Sequence, residues 1–587
     1  MQKEIEMIRL KQEYSEKNLL NKRLFFAQIS FCIMFIIVFL SLVKIQIINP
    51  PEEKAGQYEK VEIPVPRGTI YDRNGKILAM SVPYYSLYID SWKVNHQKKN
   101  DPSYPEKLKK ELISILCMSQ DEIEKKFQQR YPLIKRELSI EEYKALTEKN
   151  LPGTVFLPSY KRIYPNGTLA CHILGFTGTD GYGLEGIELY YNNILQGEKG
   201  ISLVLKDGTG DLIYSVEKKL SLPKPGKDIY LTIDANLQYI VEEEIENVYH
   251  KYNAASVSAI VINYDTGEIL ALANIPEYDP NNPEKFSPSD IRNRAVTDLF
   301  EPGSTFKIVT AAAAIEEKVI SPGNVIYCEN GKWFVRNHYL RDVHPYGTLK
   351  VSEIIEKSSN IGTVKIAMKL GEEKLYEYCR KFGFGRPTEI DLPGEIGGIL
   401  RPLNMWSGYS ITAVPIGQEV GINALQGIKA MAVIANGGYS IQPHILKGFK
   451  ENKSEIFIPW KGQERQRILS QETCEILTKI LQEVTGPAGT APLANIPGYN
   501  ISGKTGTAQK IVNGHYSKDR FVASFVGFLQ HKDARMLVLV KVDEPKPVYY
   551  GGLVAAPAFK NIMWRSLQHL NIPPELFEEE HKLVMRK

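Results

Sequence analysis

The chain has 587 residues, of which 43% are hydrophobic and 24% are charged, and its formal net charge is +4. This length exceeds that of one ordinary domain, and the composition is typical of a globular protein. The small net charge gives no sign of nucleic-acid binding. Six Cys and ten His without metal-ligand spacing predict neither a metal site nor a disulfide framework.

The first predicted element is a run at 24–43 that contains no charged residue. A helix of about 20 residues spans roughly 30 Å, the hydrocarbon thickness of a bilayer. A cleaved signal peptide is the alternative, but its apolar core would be shorter, and no Ala-x-Ala site follows. We therefore predict a membrane anchor at 24–45. Lys and Arg before it favour a cytoplasmic tail at 1–23, with all that follows outside the membrane.

The region after the anchor reads as a β-rich N-terminal domain over 50–225. Apolar alternation at 61–81 predicts two strands, which Asn74-Gly75 would join by a type I′ turn. A helix is predicted at 105–116. Residues 162–200 are rich in Gly and read as loop with a short helical part, and 222–228, with two Pro and a Gly, reads as a linker.

The pattern changes at 228 to that of an α/β domain ending near 575. Residues 228–248 read as a strand that runs into an amphipathic helix, and 256–274 read as a hairpin. Apolar strands follow near 522–529 and 534–542. We predict an antiparallel sheet with helices inserted between its strands, and a short C-terminal tail at 576–587.

Three short motifs within this domain carry chemistry. In chain order they are Ser304-Thr-Phe-Lys307, Ser358-Ser-Asn360 and Lys504-Thr-Gly-Thr507. The second motif alone reads equally well as a helix cap. The first motif alone is weak, because the same spacing occurs at Ser41/Lys44, Ser215/Lys218 and Ser221/Lys224. The order and the local context of all three indicate acyl transfer through a covalent serine ester.

Ser304 is the candidate nucleophile. It begins a predicted helix, near the positive end of the helix dipole, and Lys307 lies on the same face. A neutral Lys307 could accept the serine proton, which requires its pKa to fall by about 3 units from roughly 10.4. Burial and a neighbouring cation, which we expect to be Lys504, lower a lysine pKa in this way. The alternative is that Ser304 is an ordinary helix N-cap.

The middle motif has two interpretations. In the functional one, Ser358 relays a proton between Lys307 and the leaving amine, while Asn360 holds Lys307 and a substrate carbonyl. In the structural one, Asn360 caps the helix that follows it.

The third motif reads as part of a strand. Gly506 within a strand often marks close approach by another backbone, and a peptide could add to this edge as an extra strand. Lys504 and the hydroxyls of Thr505 and Thr507 would then bind a terminal carboxylate. The backbone N–H groups of Ser304 and Thr507 would form the oxyanion hole, in which one donor is worth about 100- to 1000-fold in rate.

Longer segments carry a family resemblance. They are RGTIYDRNGKILA (67–79), GYGLEGIE (181–188), NRAVTDLFEPGSTFK (293–307), SSNIGTVKIA (358–367), FGFG (382–385), GKTGTAQK (503–510) and YGGLVAAP (550–557). With the three motifs, they make the chain resemble the class B penicillin-binding proteins, which are monofunctional peptidoglycan D,D-transpeptidases. The resemblance covers nearly everything after the anchor.

The resemblance implies a penicillin-binding transpeptidase domain on a non-catalytic pedestal, or dimerisation, domain. It implies that Ser304 attacks the D-Ala–D-Ala end of a stem peptide, releases D-Ala and passes the acyl group to an amine on a neighbouring strand, without cofactor or metal. It also implies that β-lactams acylate Ser304, and that a SEDS-type membrane glycosyltransferase and divisome or elongasome proteins are partners in the plasma membrane.

Several alternatives stay open at this point. The division type fits slightly better than the elongation type, through GYGLEGIELYYNNILQGEKG and SSNIGTVKIA. A D,D-carboxypeptidase, a serine β-lactamase and a non-enzymatic β-lactam sensor or scaffold are the other candidates. Ser359 stands where the β-lactamase pattern has Asp, which favours a transpeptidase.

Overall fold

The computed structural model describes residues 2–44, 58–128, 132–206, 212–450 and 456–574. The predicted C-terminal tail at 576–587 lies outside the described residues, as does the stretch 45–57 that follows the apolar run. The N-terminal region begins with helix α1 (Gln2–Val43). Its apolar part, Lys22–Val43, has a mean hydropathy of 2.6 and no residue buried against the rest of the chain, and it is long enough to cross a membrane.

The N-terminal half, which the sequence predicts to be β-rich, combines its strands with short helices. Its strands are β1 (Tyr58–Ile63), β2 (Ile70–Tyr71), β3 (Ile77–Ile89), β4 (Leu133–Lys135), β5 (Thr154–Ile163), β6 (Gly200–Lys206) and β7 (Leu212–Ser221). Its helices are α2 (Ser91–Asn100), α3 (Tyr104–Leu116), α4 (Gln120–Phe127), α5 (Ile140–Lys149), α6 (Cys171–Leu174), α7 (Gly186–Tyr190) and α8 (Asn192–Leu195). The predicted helix at 105–116 is therefore confirmed as α3. Its residues Leu108, Leu112 and Leu116 are buried in a small hydrophobic core, which is separate from the main core of the chain.

The predicted type I′ turn at Asn74-Gly75 is wrong. Only Gly75 has a positive φ, of 88°, whereas a type I′ turn needs two such residues. The loop between β2 and β3 is instead built around Asp72. One carboxylate oxygen of Asp72 accepts hydrogen bonds from the backbone N–H groups of Asn74 and Lys76, both at 2.8 Å. The strand at Tyr58–Ile63 does not join this hairpin but pairs with β6.

The second half contains the remaining elements. Its strands are β8 (Asp228–Leu231), β9 (Ser256–Asn263), β10 (Ile269–Ile275), β11 (Val325–Tyr327), β12 (Lys332–Val335), β13 (His338–Arg341), β14 (Thr348–Lys350), β15 (Ile399–Leu400), β16 (Val420–Gly421), β17 (Leu446–Lys450), β18 (Phe457–Pro459), β19 (Asn500–Val512), β20 (His515–Gln530) and β21 (Met536–Asp543). Its helices are α9 (Ala235–Lys251), α10 (Pro288–Ile291), α11 (Arg294–Thr297), α12 (Lys307–Glu316), α13 (Val351–Glu356), α14 (Asn360–Leu370), α15 (Glu372–Lys381), α16 (Ser410–Ala413), α17 (Ala424–Ala435), α18 (Gln471–Thr485) and α19 (Gly551–His569).

A five-stranded antiparallel sheet organises this half, in the order β10-β9-β21-β20-β19. Helices α9, α18 and α19 pack against its strands. The predicted antiparallel sheet with inserted helices is therefore confirmed. Strand β19 lies at its edge and carries the third motif. Its edge position leaves one side of Lys504–Thr507 without a strand neighbour among the described residues.

A second sheet joins the two halves of the chain. Its order is β18-β17-β8-β2-β3-β4, with β5 also paired to β3. Strands β2 and β8 are parallel, although they lie on opposite sides of the predicted linker at 222–228. Arg67, just before β2, donates to Glu188 Oε2 at 2.5 Å in a pair that is almost fully buried. The segments RGTIYDRNGKILA and GYGLEGIE thus contact each other through this buried pair.

Candidate active site

Ser304 lies in a turn of 3₁₀-helix, Gly303–Phe306, that leads directly into helix α12. Gly303 has a φ of 54°, in the left-handed region that favours glycine. A Cβ at Gly303 would also lie 3.1 Å from the carbonyl oxygen of Thr507. The turn therefore brings the start of α12 against strand β19. Pro302 and Phe306 occupy the N-cap positions, so Ser304 is not the helix cap that the alternative interpretation required.

Ser358-Ser-Asn360 forms the entry to helix α14. Ser359 is its N-cap and accepts a hydrogen bond from Gly362 N at 2.9 Å. Asn360 is therefore not the cap, which leaves its amide available to the site. Ser358 has a φ of 59°, and a non-glycine residue there costs about 1–3 kcal/mol unless its surroundings hold it. Such residues cluster at functional sites.

Lys307 is fully buried, and its Nζ contacts the second motif at three atoms. The nitrogen lies 2.6 Å from Ser358 O, 3.2 Å from Ser358 Oγ and 2.7 Å from Asn360 Oδ1. Burial lowers the pKa of Lys307 well below its usual value, and the charge of Lys504 lowers it further. Lys504 is thus the neighbouring cation that we expected from the sequence. Asp342 opposes these effects.

Lys504 is also fully buried, and its Nζ lies 3.0 Å from Ser358 Oγ. The Ser358 hydroxyl therefore stands between two lysine nitrogens, at 3.2 Å from one and 3.0 Å from the other. Burial lowers the pKa of Lys504 to about 7. At neutral pH, this arrangement can hold one neutral amine and one ammonium on either side of a hydroxyl that both donates and accepts.

Strand β19 approaches the serine turn closely at Gly506. A Cβ at Gly506 would lie 2.3 Å from Ser524 Oγ and 3.0 Å from Pro302 O, so no larger residue fits. This confirms that the glycine marks a close approach. Next to it, Thr507 Oγ1 accepts a hydrogen bond from Gly551 N at 3.0 Å, at the start of helix α19.

Thr505 is mostly buried, and its Oγ1 lies 3.2 Å from the Oγ1 of Thr490. The structure therefore brings together four residues that the sequence singled out, Lys307, Ser358, Asn360 and Lys504, through direct side-chain contacts. Within the described chain, no hydrogen bond to Ser304 Oγ is found, so this hydroxyl is not committed to a structural partner.

Asp342 is a site residue that sequence reasoning missed. Its Oδ2 accepts from Ser359 Oγ at 2.7 Å, and its Oδ1 accepts from Asn360 N at 2.5 Å and from Ile361 N at 3.0 Å. It follows directly after strand β13, and Arg341 O accepts from Asn360 Nδ2 at 2.8 Å. The β12–β13 hairpin therefore fixes the orientation of the Asn360 amide. The string Arg341-Asp342 carries no motif, so one sequence could not reveal this role.

Two family models match the chain. The penicillin binding protein transpeptidase domain matches residues 257–564, and the penicillin-binding protein dimerisation domain matches residues 62–231. Together they cover most of the described chain.

Similar proteins agree with these matches. The chain is 35% identical over 520 residues to PenA of Neisseria meningitidis, a probable peptidoglycan D,D-transpeptidase. This match covers 87% of this chain and 86% of that protein. It is 34% identical over 526 residues to the stage V sporulation protein D of Bacillus subtilis, covering 88% of this chain and 80% of that one. A crystal structure of penicillin binding protein 3 from Mycobacterium tuberculosis, complexed with aztreonam, matches with a TM-score of 0.68 and 28% identity, over 88% of this chain and 99% of that chain.

Proposed function

This chain belongs to the class B penicillin-binding proteins, and we propose that it is a peptidoglycan D,D-transpeptidase that acts through an acyl-enzyme on Ser304. The observation that carries the proposal is the chain of contacts from Lys307 through Ser358 to Lys504. This chain connects the three motifs, and it lies where the serine turn meets the edge strand β19.

In the acylation step, neutral Lys307 accepts the Ser304 proton while Ser304 Oγ attacks the carbonyl carbon of the penultimate D-Ala. The bond to the terminal D-Ala breaks, and its nitrogen takes a proton delivered through Ser358. The lowered pKa of Lys307 supports this step, because it increases the fraction of the neutral amine that can accept a proton. The 3.0 Å contact from Lys504 to Ser358 Oγ supports the relay.

The edge of β19 supports the binding of substrate as an added strand. The terminal carboxylate would lie against Lys504, Thr505 and Thr507. The backbone N–H groups of Ser304 and Thr507 would stabilise the oxyanion. Gly506 supports this placement, because the absence of a side chain lets β19 approach the serine turn at Pro302.

In the second step, an amine of a neighbouring stem peptide attacks the ester carbonyl and forms the new amide. The ester bond to Ser304 Oγ breaks, and Oγ takes up the proton that the amine loses. Hydrolysis instead of aminolysis would make the chain a D,D-carboxypeptidase. β-Lactams would form the same ester and remain attached. The family's penicillin-binding domain and a similar structure that contains aztreonam support β-lactam binding.

The setting of this activity is also proposed. Helix α1 supports a single-pass anchor in the plasma membrane, with residues 1–23 in the cytoplasm and the catalytic half outside. A polymerising partner, a SEDS-type glycosyltransferase, and other divisome proteins would act beside it.

Because a 34% identical relative is named for sporulation, synthesis of a spore wall is a second candidate for the stage at which the chain acts. Depletion that blocks septation supports division, whereas depletion that blocks only spore formation supports the second candidate.

We propose domain boundaries at 50–225 for the pedestal and 228–575 for the transpeptidase. The dimerisation-domain match, which ends at 231, and the transpeptidase-domain match, which begins at 257, support a boundary in this region, although the second sheet crosses between the two.

The proposed reaction is tested with the purified full-length chain, a donor peptide ending in D-Ala–D-Ala and an amine acceptor. We expect release of D-Ala together with a cross-linked product. Ser304→Ala should yield neither, and Ser221→Ala, at another Ser-x-x-Lys, should yield both. Release of D-Ala with only hydrolysed donor would identify a carboxypeptidase. No release of D-Ala by the unaltered chain would favour a sensor or scaffold.

A further inference from the structure

A charged cavity of about 530 Å³ adjoins the proposed active site. Two of its lining residues are close in sequence to residues of that site. Glu301 precedes Ser304 by three residues, and Ala508 directly follows Thr507. Its far side is formed by the C-terminal part of β19 and by Lys541 on β21. Residues of the small β15–β16 ribbon, together with Arg401 directly after β15, also line it.

Lys541 is a buried cation without a close acceptor. Its side chain is 3% exposed, yet the nearest carboxylate oxygen, on Asp298, is 3.9 Å away. The ammonium instead lies 5.4 Å from the centre of the Phe300 ring. Asp298 is itself held by two arginines, Arg292 and Arg294. No hydrogen bond to Lys541 Nζ is found in the part of the chain that the structure describes.

Arg401 and Glu301 add a further cation and a carboxyl group to the lining of the cavity. The Arg401 guanidinium is exposed at the rim of the cavity and makes no ion pair with any described residue. In Glu301, Oε1 accepts hydrogen bonds from Glu419 N and Tyr516 OH, but the buried Oε2 has no partner among the described residues. A buried polar or charged group without a partner is costly, so a ligand that offers an anion to Lys541 and a hydrogen-bond donor to Glu301 Oε2 would be favoured.

The direction of the substrate places this cavity along the stem peptide. If the terminal carboxylate lies at Lys504 and Thr505, and the scissile carbonyl between Ser304 and Thr507, the upstream peptide continues antiparallel to β19. At about 3.4 Å per residue, the residue before the penultimate D-Ala lies beside 508–510. That residue is the third of the stem, and its side chain would reach the charged cavity.

We propose that the charged cavity receives the side chain of the third stem residue and selects a side chain that ends in both an ammonium and a carboxylate. Glu301 binds the ammonium, while Arg401 and Lys541 bind the carboxylate. A side chain that ends in an ammonium alone, as in lysine, leaves both cations unmatched. This inference rests on the proposed function, because it assumes a stem peptide on β19, and it names the class of donor.

The test compares two pentapeptides that end in D-Ala–D-Ala and differ only in the third residue, diaminopimelate or lysine. Each competes with a labelled penicillin for Ser304 of the full-length chain, and the inhibition constants are compared. Acylation of Ser304 by the labelled penicillin is also measured without peptide. This second measurement tests the proposed function independently of the selectivity. We expect diaminopimelate to bind about 10-fold tighter, as charge-assisted hydrogen bonds allow.

Variants attribute the selectivity to the cavity. Arg401→Gln and Lys541→Met should each reduce the ratio of the two inhibition constants towards one. Lys479→Gln, at an exposed lysine that lines a different cavity, should keep it. Lys541 is buried, so Lys541→Met could fail to fold. In that case the test depends on Arg401→Gln alone. Equal binding of the two peptides, tighter binding of the lysine peptide, or full selectivity in Arg401→Gln would each overturn the proposal.

Discussion

At the scale of residues, the site depends on two lysines that share one hydroxyl. Both are fully buried, and both have a lowered pKa, in the first place because burial penalises the ammonium. Both contact the Ser358 hydroxyl, and Lys307 also contacts the carbonyl of Ser358 and the amide oxygen of Asn360. The two lysines therefore have different surroundings, which allows one to serve as base and the other as cation.

Lys307→Arg keeps the charge but removes the base, because arginine does not deprotonate in a protein. We expect the rate of acylation by a labelled penicillin to fall by about 100-fold or more, the usual contribution of a general base. Stopped-flow fluorescence measures this rate. Acylation of Lys307→Arg at the unaltered rate would show that Lys307 is not the base.

The pH dependence of acylation follows from the same two groups. As the pH falls through the lowered pKa of Lys307, the amine gains a proton and acylation slows. As the pH rises through about 7, Lys504 loses its proton, and its attraction for the carboxylate of the substrate weakens. We expect a bell-shaped profile of the acylation rate, and an alkaline limb shifted to higher pH in Lys504→Arg. A profile of that variant with the same alkaline limb would exclude Lys504 as its origin.

At the scale of elements, three separate segments must meet for the site to form. The serine turn packs on β19 at Gly506, and the β12–β13 hairpin holds the start of α14 through Asp342. Asp342 accepts hydrogen bonds at the positive end of this helix, where a carboxylate is stabilising. The hairpin therefore positions the second motif, although it contributes no atom to the proposed reaction.

Asp342→Asn removes this charge while keeping the shape of the side chain. We expect acylation to slow by about 10- to 100-fold, which corresponds to the loss of one charge-assisted hydrogen bond. The measurement is the acylation rate with penicillin, with the exposed Asp533→Asn as the matched control. The melting temperature of both variants shows whether the fold persists. An unchanged rate in Asp342→Asn would show that the hairpin does not position the second motif.

The sequence predicted those elements whose signal is local. Helix α3 and the strands of the main sheet have clear periodicity, and the three motifs marked Lys307, Ser358, Asn360 and Lys504 correctly as neighbours. The turn at Asn74-Gly75 was wrong because the Asp72 carboxylate organises a longer loop. Asp342 was missed because its role depends on a hairpin that returns to the second motif, and no short pattern reports such a contact.

At the scale of the whole molecule, the pedestal and the transpeptidase share a sheet. The parallel pairing of β2 with β8 joins residues that are far apart in sequence, and Thr69 N donates to the carboxylate of Asp228 at 2.7 Å across the same junction. The linker at 222–228 looked like a boundary because Pro and Gly interrupt the pattern there. Local composition cannot show that strands on either side of it pair.

A chain that begins at residue 228 would leave β8 without its β2 neighbour. We expect its melting temperature to lie at least about 5 °C below that of a chain that begins at residue 58, since roughly 1 kcal/mol shifts the midpoint by 2–4 °C in larger domains. Calorimetry of the two chains measures the difference. Equal melting temperatures would show that the shared sheet does not stabilise the transpeptidase half.

The central claim is that Ser304 forms a covalent ester, and mass spectrometry of the full-length chain after reaction with a penicillin tests it most directly. We expect the intact mass to increase by that of one penicillin. Peptide mapping should place the adduct on Ser304, and Ser304→Ala should remain unmodified. An adduct on another serine, or an unmodified Ser304 after prolonged reaction, would contradict the account.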